Sequence, residues 1–175
     1  SIDDLFVNHT QWSVLESDCE LFVAFGGVPE KNAQVSAGGT SEHRTPGALR
    51  RMAMRGTKFV NVSPVRDDLL TGAPFQWIAL RPNTDAALML GLAHTLYTQG
   101  LHDAAFLERY CHGFDAFVPY LLGTDDGQPK SAEWAGAITD IAPERIITLA
   151  QEMAAKRTLI NVSFSLQRAD HGEQP

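Results

Sequence analysis

Apolar positions along the chain change period several times, and each change marks an element. Leu21-Phe22-Val23-Ala24-Phe25 is a short unbroken apolar run closed by Gly26-Gly27. A run of that length fits a strand buried on both faces, as in parallel sheets. Thr45-Pro46 then offers an N-cap and a first-turn proline, and Leu49, Met52 and Ala53 form a helical stripe that stops at Gly56. Phe59-Val60-Asn61-Val62 is a second strand, closed by Ser63-Pro64. Strand, loop, helix and strand make a βαβ crossover, which is right-handed in nearly all known cases. Residues 65–75 keep no period and read as irregular. Trp77-Ile78-Ala79-Leu80 is a short third strand, ended by Arg81-Pro82.

Helical spacing dominates the second half. Asn83 or Thr84 caps a helix whose first-turn Asp85 suits the helix dipole, and Leu88, Leu92 and Leu96 recur at four-residue intervals until Gly100. Asp103–Tyr110, Asp115–Leu122 and Ala132–Ile138 read as short helices, with a polar turn cluster over Thr124–Pro129. Pro143 opens a last helix in which Ile146, Leu149, Ala150 and Met153 line one face, with Lys156-Arg157 in its last turn. Thr158–Val162 is the final strand. Strands alternating with helices predict an α/β fold: a mostly parallel open sheet with helices on both faces, a Rossmann-like three-layer sandwich. The expectation is a single domain over 1–175, with a helical insertion near residues 100–140.

Composition narrows the function classes. The net charge of −7 argues against a nucleic-acid surface, which would be basic. No apolar run approaches the roughly 20 residues that span a bilayer, so no direct membrane insertion is expected. The two cysteines, Cys19 and Cys111, are too few for a disulfide framework and read as buried free thiols. None of the six histidines (His9, His43, His94, His102, His112, His171) pairs with another at metal-ligand spacing. His94 reads as a packed or half-exposed residue, Trp77 and Trp134 as core or half-core, and Asp125-Asp126 as a solvated turn. G-x-G-x-x-G, G-x-x-x-x-G-K-[ST] and G-x-S-x-G are all missing.

Four loops follow the four strands: Gly26-Gly27-Val28-Pro29, Ser63-Pro64-Val65-Arg66, Arg81-Pro82-Asn83-Thr84-Asp85 and Ser165-Leu166-Gln167-Arg168. In a parallel sheet all four lie along the carboxyl edge, where open α/β sheets bind ligands. Glycine lets backbone approach a phosphate, and acidic or amide side chains can bond ribose hydroxyls or a guanine edge. Each loop alone is better explained as a turn that any strand end requires. The four together point to an extended nucleotide. The last of them is a polar stretch, Ser165 to Pro175 with His171 and Glu173, and it follows a strand with nothing after it to cover it. That suits a piece of a longer protein.

Several stretches carry a resemblance. They are Phe25-Gly26-Gly27-Val28-Pro29, Val62-Ser63-Pro64-Val65-Arg66, the run from Arg81-Pro82-Asn83-Thr84-Asp85 to Tyr97, Tyr120 to Lys130, Glu133-Trp134-Ala135, and Ser165-Leu166-Gln167-Arg168 with His171-Gly172-Glu173-Gln174. In these the chain resembles the dimethyl sulfoxide reductase family of molybdenum enzymes, in the branch of trimethylamine N-oxide, dimethyl sulfoxide and biotin sulfoxide reductases. The resemblance implies a longer parent, built of several domains around bis(molybdopterin guanine dinucleotide) molybdenum. That parent takes an oxygen atom from a small S-oxide or N-oxide substrate, with the other domains of its chain as partners of this one. By matching position, Gly26, Gly27 and Pro29 would line the nucleotide loop, and Ser63, Pro64 and Val65 would contact the guanosine. Pro82, Asn83 and Asp85 would meet the guanine or its ribose, and Ser165, Gln167 and Arg168 would face the pyrophosphate or pterin. Two positions depart from the family: Ser63 replaces Asp or Asn, and Phe164 replaces Trp, keeping an apolar wall without an indole N–H.

The resemblance implies no catalytic residue and no metal ligand within these residues, and no cofactor bound by the piece alone. The compartment is open between periplasm and cytoplasm, with the periplasm favoured. A free-standing α/β nucleotide-binding or regulatory module without catalysis is the alternative, and a structural domain that has lost its ligand is a third.

Overall fold

The computed structural model describes residues 10–32, 43–69, 71–170 and 172. The chain divides into two compact units, 1–77 with 157–163 and 78–156 with 164–175. Among the described residues the helices are α1 (Trp12–Asp18), α2 (Arg44–Arg55), α3 (Asp85–Thr98), α4 (Ala104–Tyr110), α5 (Phe114–Leu122), α6 (Ala132–Thr139) and α7 (Pro143–Ala155). The strands are β1 (Leu21–Phe25), β2 (Lys58–Val62), β3 (Gln76–Ile78) and β4 (Thr158–Val162), in the spatial order β3-β2-β1-β4. The α/β prediction is borne out.

In the first unit β1 runs parallel to both β2 and β4. All five β1 residues are buried, as the unbroken apolar run requires. Register places Phe22 opposite Phe59 on one side and Leu159 on the other. The Phe22 and Phe59 rings lie 5.5 Å apart and pack with Leu49 and Met52 of α2. Two residues further toward the carboxyl ends, the row is Asn61–Ala24–Asn161. Small Ala24 therefore sits between two amides, where the core gives way to polar groups. Helix α1 has no buried residue to announce it; Arg51 of α2 ties to it through a bidentate pair with Glu16 at 2.7 Å.

In the second unit α3 packs against α6 and α7. Gly91 permits the α3–α6 approach: a Cβ there would lie 2.6 Å from the Cβ of Ala135. Asp103 and Ser131 cap α4 and α6 by accepting from the backbone N–H groups of Phe106 and Trp134.

Four local expectations are corrected. The third strand ends at Ile78, because the Leu80 N–H bends back to the Ile78 carbonyl and the Arg81 N–H goes to Thr139. Thr84 stands at the N-cap of α3 without capping it; its hydroxyl donates to the Arg81 carbonyl at 2.6 Å. Lys156 and Arg157 lie past the end of α7. Cys111 is exposed, since it follows a seven-residue helix with no buried position, while Cys19 is buried.

Candidate functional site

Unit 1 holds two of the predicted loops, and the structure locks them to one another. Past β1, Gly26 and Gly27 take φ values of 76° and 71°, a conformation that favours glycine. Gly27 also has no room for a side chain, because its Cβ would lie 2.5 Å from the Cβ of Asp68. The Val28 N–H donates to the Asp68 carbonyl at 2.6 Å. Pro29 follows, half-buried, and its carbonyl accepts from the Asn32 N–H. Past β2, the Ser63 hydroxyl donates to Oδ2 of Asp68 at 2.9 Å and accepts from the Val65 N–H at 3.1 Å. Ser63 is buried and its hydroxyl is occupied within the loop. Pro64 and Val65 are exposed. The Trp77 indole, half-exposed, donates to the Ser63 carbonyl at 2.8 Å.

The two amides of the Asn61–Ala24–Asn161 row hold these turns from below. Nδ2 of Asn61 donates to the carbonyls of Val65 and Arg66 at 3.2 and 3.0 Å. Nδ2 of Asn161 reaches the Gly27 carbonyl at 3.4 Å. Two carbonyl acceptors fix the orientation of the Asn61 amide, so Oδ1 is the atom left over. It is buried and has no hydrogen-bond partner among the described residues. Asn61, Asn161 and Asp68 were not among the predicted site residues, although the chain carries a sign of the first two. Val60-Asn61-Val62-Ser63 and Ile160-Asn161-Val162-Ser163 repeat one pattern, a lone amide inside an apolar strand.

Unit 2 holds the other two predicted loops, and they also meet. Asn83 takes a positive φ of 65°, which asparagine tolerates better than most residues, and its Nδ2 donates to the Asp170 carbonyl at 2.9 Å. This bond joins the 82–85 turn to the segment after Phe164–Gln167. There Leu166 is buried, while Ser165, Gln167 and Arg168 are exposed. Pro82 is exposed beside Asn83. Phe164 is 78% exposed, so it walls nothing within the described residues. Arg81 anchors the turn through a bidentate pair with Asp140 at 3.0 and 2.8 Å.

Asp85 opens α3. Burial pushes its carboxyl up from the ordinary carboxylate range, and only its own backbone N–H opposes this. The same end of α3 borders a cleft of about 720 Å³ lined by Asn83, Met89, Leu90, Phe117, Trp134 and Asp170 among others. Beyond it, Lys130 is 97% buried, a feature the sequence reading missed. Its ammonium donates to Oδ2 of Asp126 and the Gln128 carbonyl, both at 2.6 Å, and lies 4.2 Å from the Tyr120 ring. Asp126, read as solvated, is held by this ion pair, which keeps its carboxyl below the ordinary range. His94 is half-buried, as expected, and burial pulls its imidazole down. His171 and Glu173 lie outside the described residues. Among the described residues no group of three His, Cys, Asp or Glu is disposed to hold a metal, and no helix is long and apolar enough to cross a membrane.

Parallel strands whose carboxyl-end turns carry glycine, amide and carboxylate groups define an α/β protein with polar groups at the sheet edge where such folds bind ligands. Residues 9–174 match the family model described as molybdopterin oxidoreductase, and the chain belongs to that family. It is 44% identical over 156 residues to a biotin sulfoxide reductase of Cereibacter sphaeroides, covering 89% of this chain and 21% of that protein. It is 37% identical over 171 residues to the dimethyl sulfoxide/trimethylamine N-oxide reductase of Rhodobacter capsulatus, covering 98% and 21%. Trimethylamine-N-oxide reductase 1 of Escherichia coli (strain K12) is 37% identical over 177 residues, again with 98% and 21% covered. The chain thus spans about a fifth of the length of these relatives. Among solved structures, acetylene hydratase from Pelobacter acetylenicus shares the fold, with a TM-score of 0.62 at 23% identity over 85% of this chain and 18% of that one.

The groups present suit the molybdenum–pterin cofactor that the family implies. Unit 1 offers a side-chain-free glycine turn and an orphaned buried amide oxygen. Unit 2 offers a desolvated carboxylate at a helix start, Asp85, which pairs with none of the described residues, and the exposed cation Arg168.

Proposed function

We propose that this chain is a cofactor-holding part of a molybdenum enzyme that reduces S-oxides or N-oxides, and that the cofactor carries guanine dinucleotide arms. When bound, the group supplies the two-electron reduction that, with two protons, removes the oxide's oxygen as water. The residues of this chain bind and orient; none is assigned a catalytic role.

In unit 1 the turns with Gly26, Gly27, Pro29, Ser63, Pro64 and Val65 offer backbone and small surfaces to the nucleoside. In unit 2 Asn83 and Asp85, beside Pro82, meet the base. Ser165, Gln167 and Arg168 face the pyrophosphate or pterin, with the Arg168 guanidinium suited to bidentate phosphate bonding. One observation carries this reading. Asp85 is a half-buried carboxylate that pairs with none of the described residues. Such a group is costly to keep charged unless a ligand donor meets it. A guanine edge presents two adjacent N–H donors, N1 and N2, that match two carboxylate oxygens.

The test is Asp85→Ala in the full-length enzyme, with molybdenum and guanine nucleotide measured per polypeptide. The proposal expects both to fall at least tenfold while the protein stays folded, since a doubly bonded charged acceptor is worth about 3 kcal/mol or more. Unchanged cofactor content and activity would remove Asp85 from the site.

A further inference from the structure

We propose that Asp68 is the residue of unit 1 that recognises the sugar of the bound nucleotide, through one carboxylate oxygen accepting from a ribose hydroxyl. The inference rests on the nucleotide reading above and assigns a contact within it.

Three observations converge on this side chain. First, the polar group that stands at the end of β2 in the sequence is not available: Ser63 is 1% exposed, and its hydroxyl both donates to Asp68 and accepts from the Val65 N–H. The Ser63 hydroxyl works as a tether for a carboxylate rather than as a ligand group. Second, Asp68 is held from both predicted turns. Its carbonyl takes the Val28 N–H at 2.6 Å, its N–H goes to the Val65 carbonyl, and its Cβ fills the space where a side chain at Gly27 would stand. Third, the carboxylate is only half occupied. Oδ2 is bonded by Ser63, whereas Oδ1 has no hydrogen-bond partner among the described residues, and the side chain is neither fully buried nor fully exposed. A carboxylate fixed at one oxygen and open at the other is a pre-set acceptor, so little ordering is needed when a donor arrives.

The count of free oxygens selects the ligand group. A guanine edge or a guanidinium offers two parallel N–H donors and needs both oxygens of its partner. A hydroxyl offers one donor and needs one. Asp68 has one. The orphaned Oδ1 of Asn61 lies under the same turn, on a side chain with no exposure, and its Nδ2 fixes the carbonyls of Val65 and Arg66, just before Asp68. The turn that leads into Asp68 is thus braced by a buried side chain of β2.

The experiment compares GDP with 2′,3′-dideoxy-GDP by calorimetry on full-length protein, purified without cofactor from a host unable to make molybdopterin. The unaltered protein is expected to bind GDP about tenfold more tightly, the contribution of one hydrogen bond to a charged acceptor. Asp68→Ala is expected to bind the two equally. Asp68→Asn keeps an acceptor for the Ser63 hydroxyl, so it serves where the alanine variant does not fold; discrimination there should drop to about threefold or less. A general loosening of the loop would weaken both nucleotides alike and leave their ratio intact. Discrimination that survives in Asp68→Ala overturns the assignment, as does unaltered protein that binds both nucleotides equally. Unaltered protein that binds neither, together with loaded protein that releases no guanine nucleotide on denaturation, overturns the nucleotide reading itself.

Discussion

The two units treat polar side chains at their turns in opposite ways. In unit 1 such groups are occupied by the loops themselves: Ser63, Asn61 and Asn161 all bond backbone or Asp68, which leaves one Asp68 oxygen and the buried Asn61 Oδ1 without a partner among the described residues. In unit 2 the turn is anchored by residues beside it, Arg81 with Asp140 and Asn83 with the Asp170 carbonyl, and Asp85 is left whole. The first arrangement fixes backbone for close approach. The second preserves a charge for a ligand. Polar residues after a strand are therefore not equivalent, and only their partners tell which kind each one is.

Substitutions can break this contrast, in descending order of effect. Gly27→Ala should do most, because it forces an L side chain into positive φ and drives a methyl into Asp68. Backbone strain and overpacking together cost about 3–4 kcal/mol. Thermal melts of the full-length protein should show a clear drop, with cofactor content falling too; a variant as stable as the parent would mean the turn has room that the geometry denies. Lys130→Ala is next. It leaves a loop without its buried ammonium and should cost about 2 kcal/mol, while leaving nucleotide content per folded molecule unchanged. Nucleotide loss in that variant would show that the Lys130 loop belongs to the binding machinery. Asn61→Ala should cost about 1–2 kcal/mol by freeing two carbonyls.

Asp85→Asn should behave in the opposite sense. The folded carboxyl is pushed up by burial, so the folded state holds its proton more tightly than the unfolded chain. Its contribution to stability is then present below the unfolded carboxylate pKa and is lost as pH rises through the raised folded value. Asparagine removes that loss. Without cofactor, the variant should equal the parent near about pH 3 and exceed it modestly at about pH 7, as read from parallel melts. A variant less stable at neutral pH would reveal a partner for the carboxylate. Smallest is Cys111→Ser, which should leave stability unchanged and abolish rapid labelling by a thiol reagent. Cys19, buried and with its thiol pushed up, should stay unlabelled in the native protein.

Much of the fold was legible because it follows from unbroken apolar runs and helical stripes. β1 and β4 fall on the predicted residues, and α7 begins at Pro143 as its first-turn proline requires. The end of β3 was not legible, since Leu80 is apolar and buried yet its N–H turns back on Ile78. The pairing of the turns was only partly readable. Glycine and proline announce turns, but that Asp68 closes on Gly27, or that Asn83 reaches Asp170, depends on contacts distant in the chain. Lys130 escaped notice for a related reason. A lysine in a polar turn looks solvated until Asp126 and the Tyr120 ring are seen around it.

The most direct measurement is an experimental structure of the full-length protein with its cofactor in place. The account predicts a guanine base within about 3 Å of the Asp85 carboxylate, a normal charge-assisted hydrogen-bond distance, with both oxygens engaged. A loaded structure in which Asp85 faces solvent or a protein cation, with every guanine held elsewhere, would contradict it.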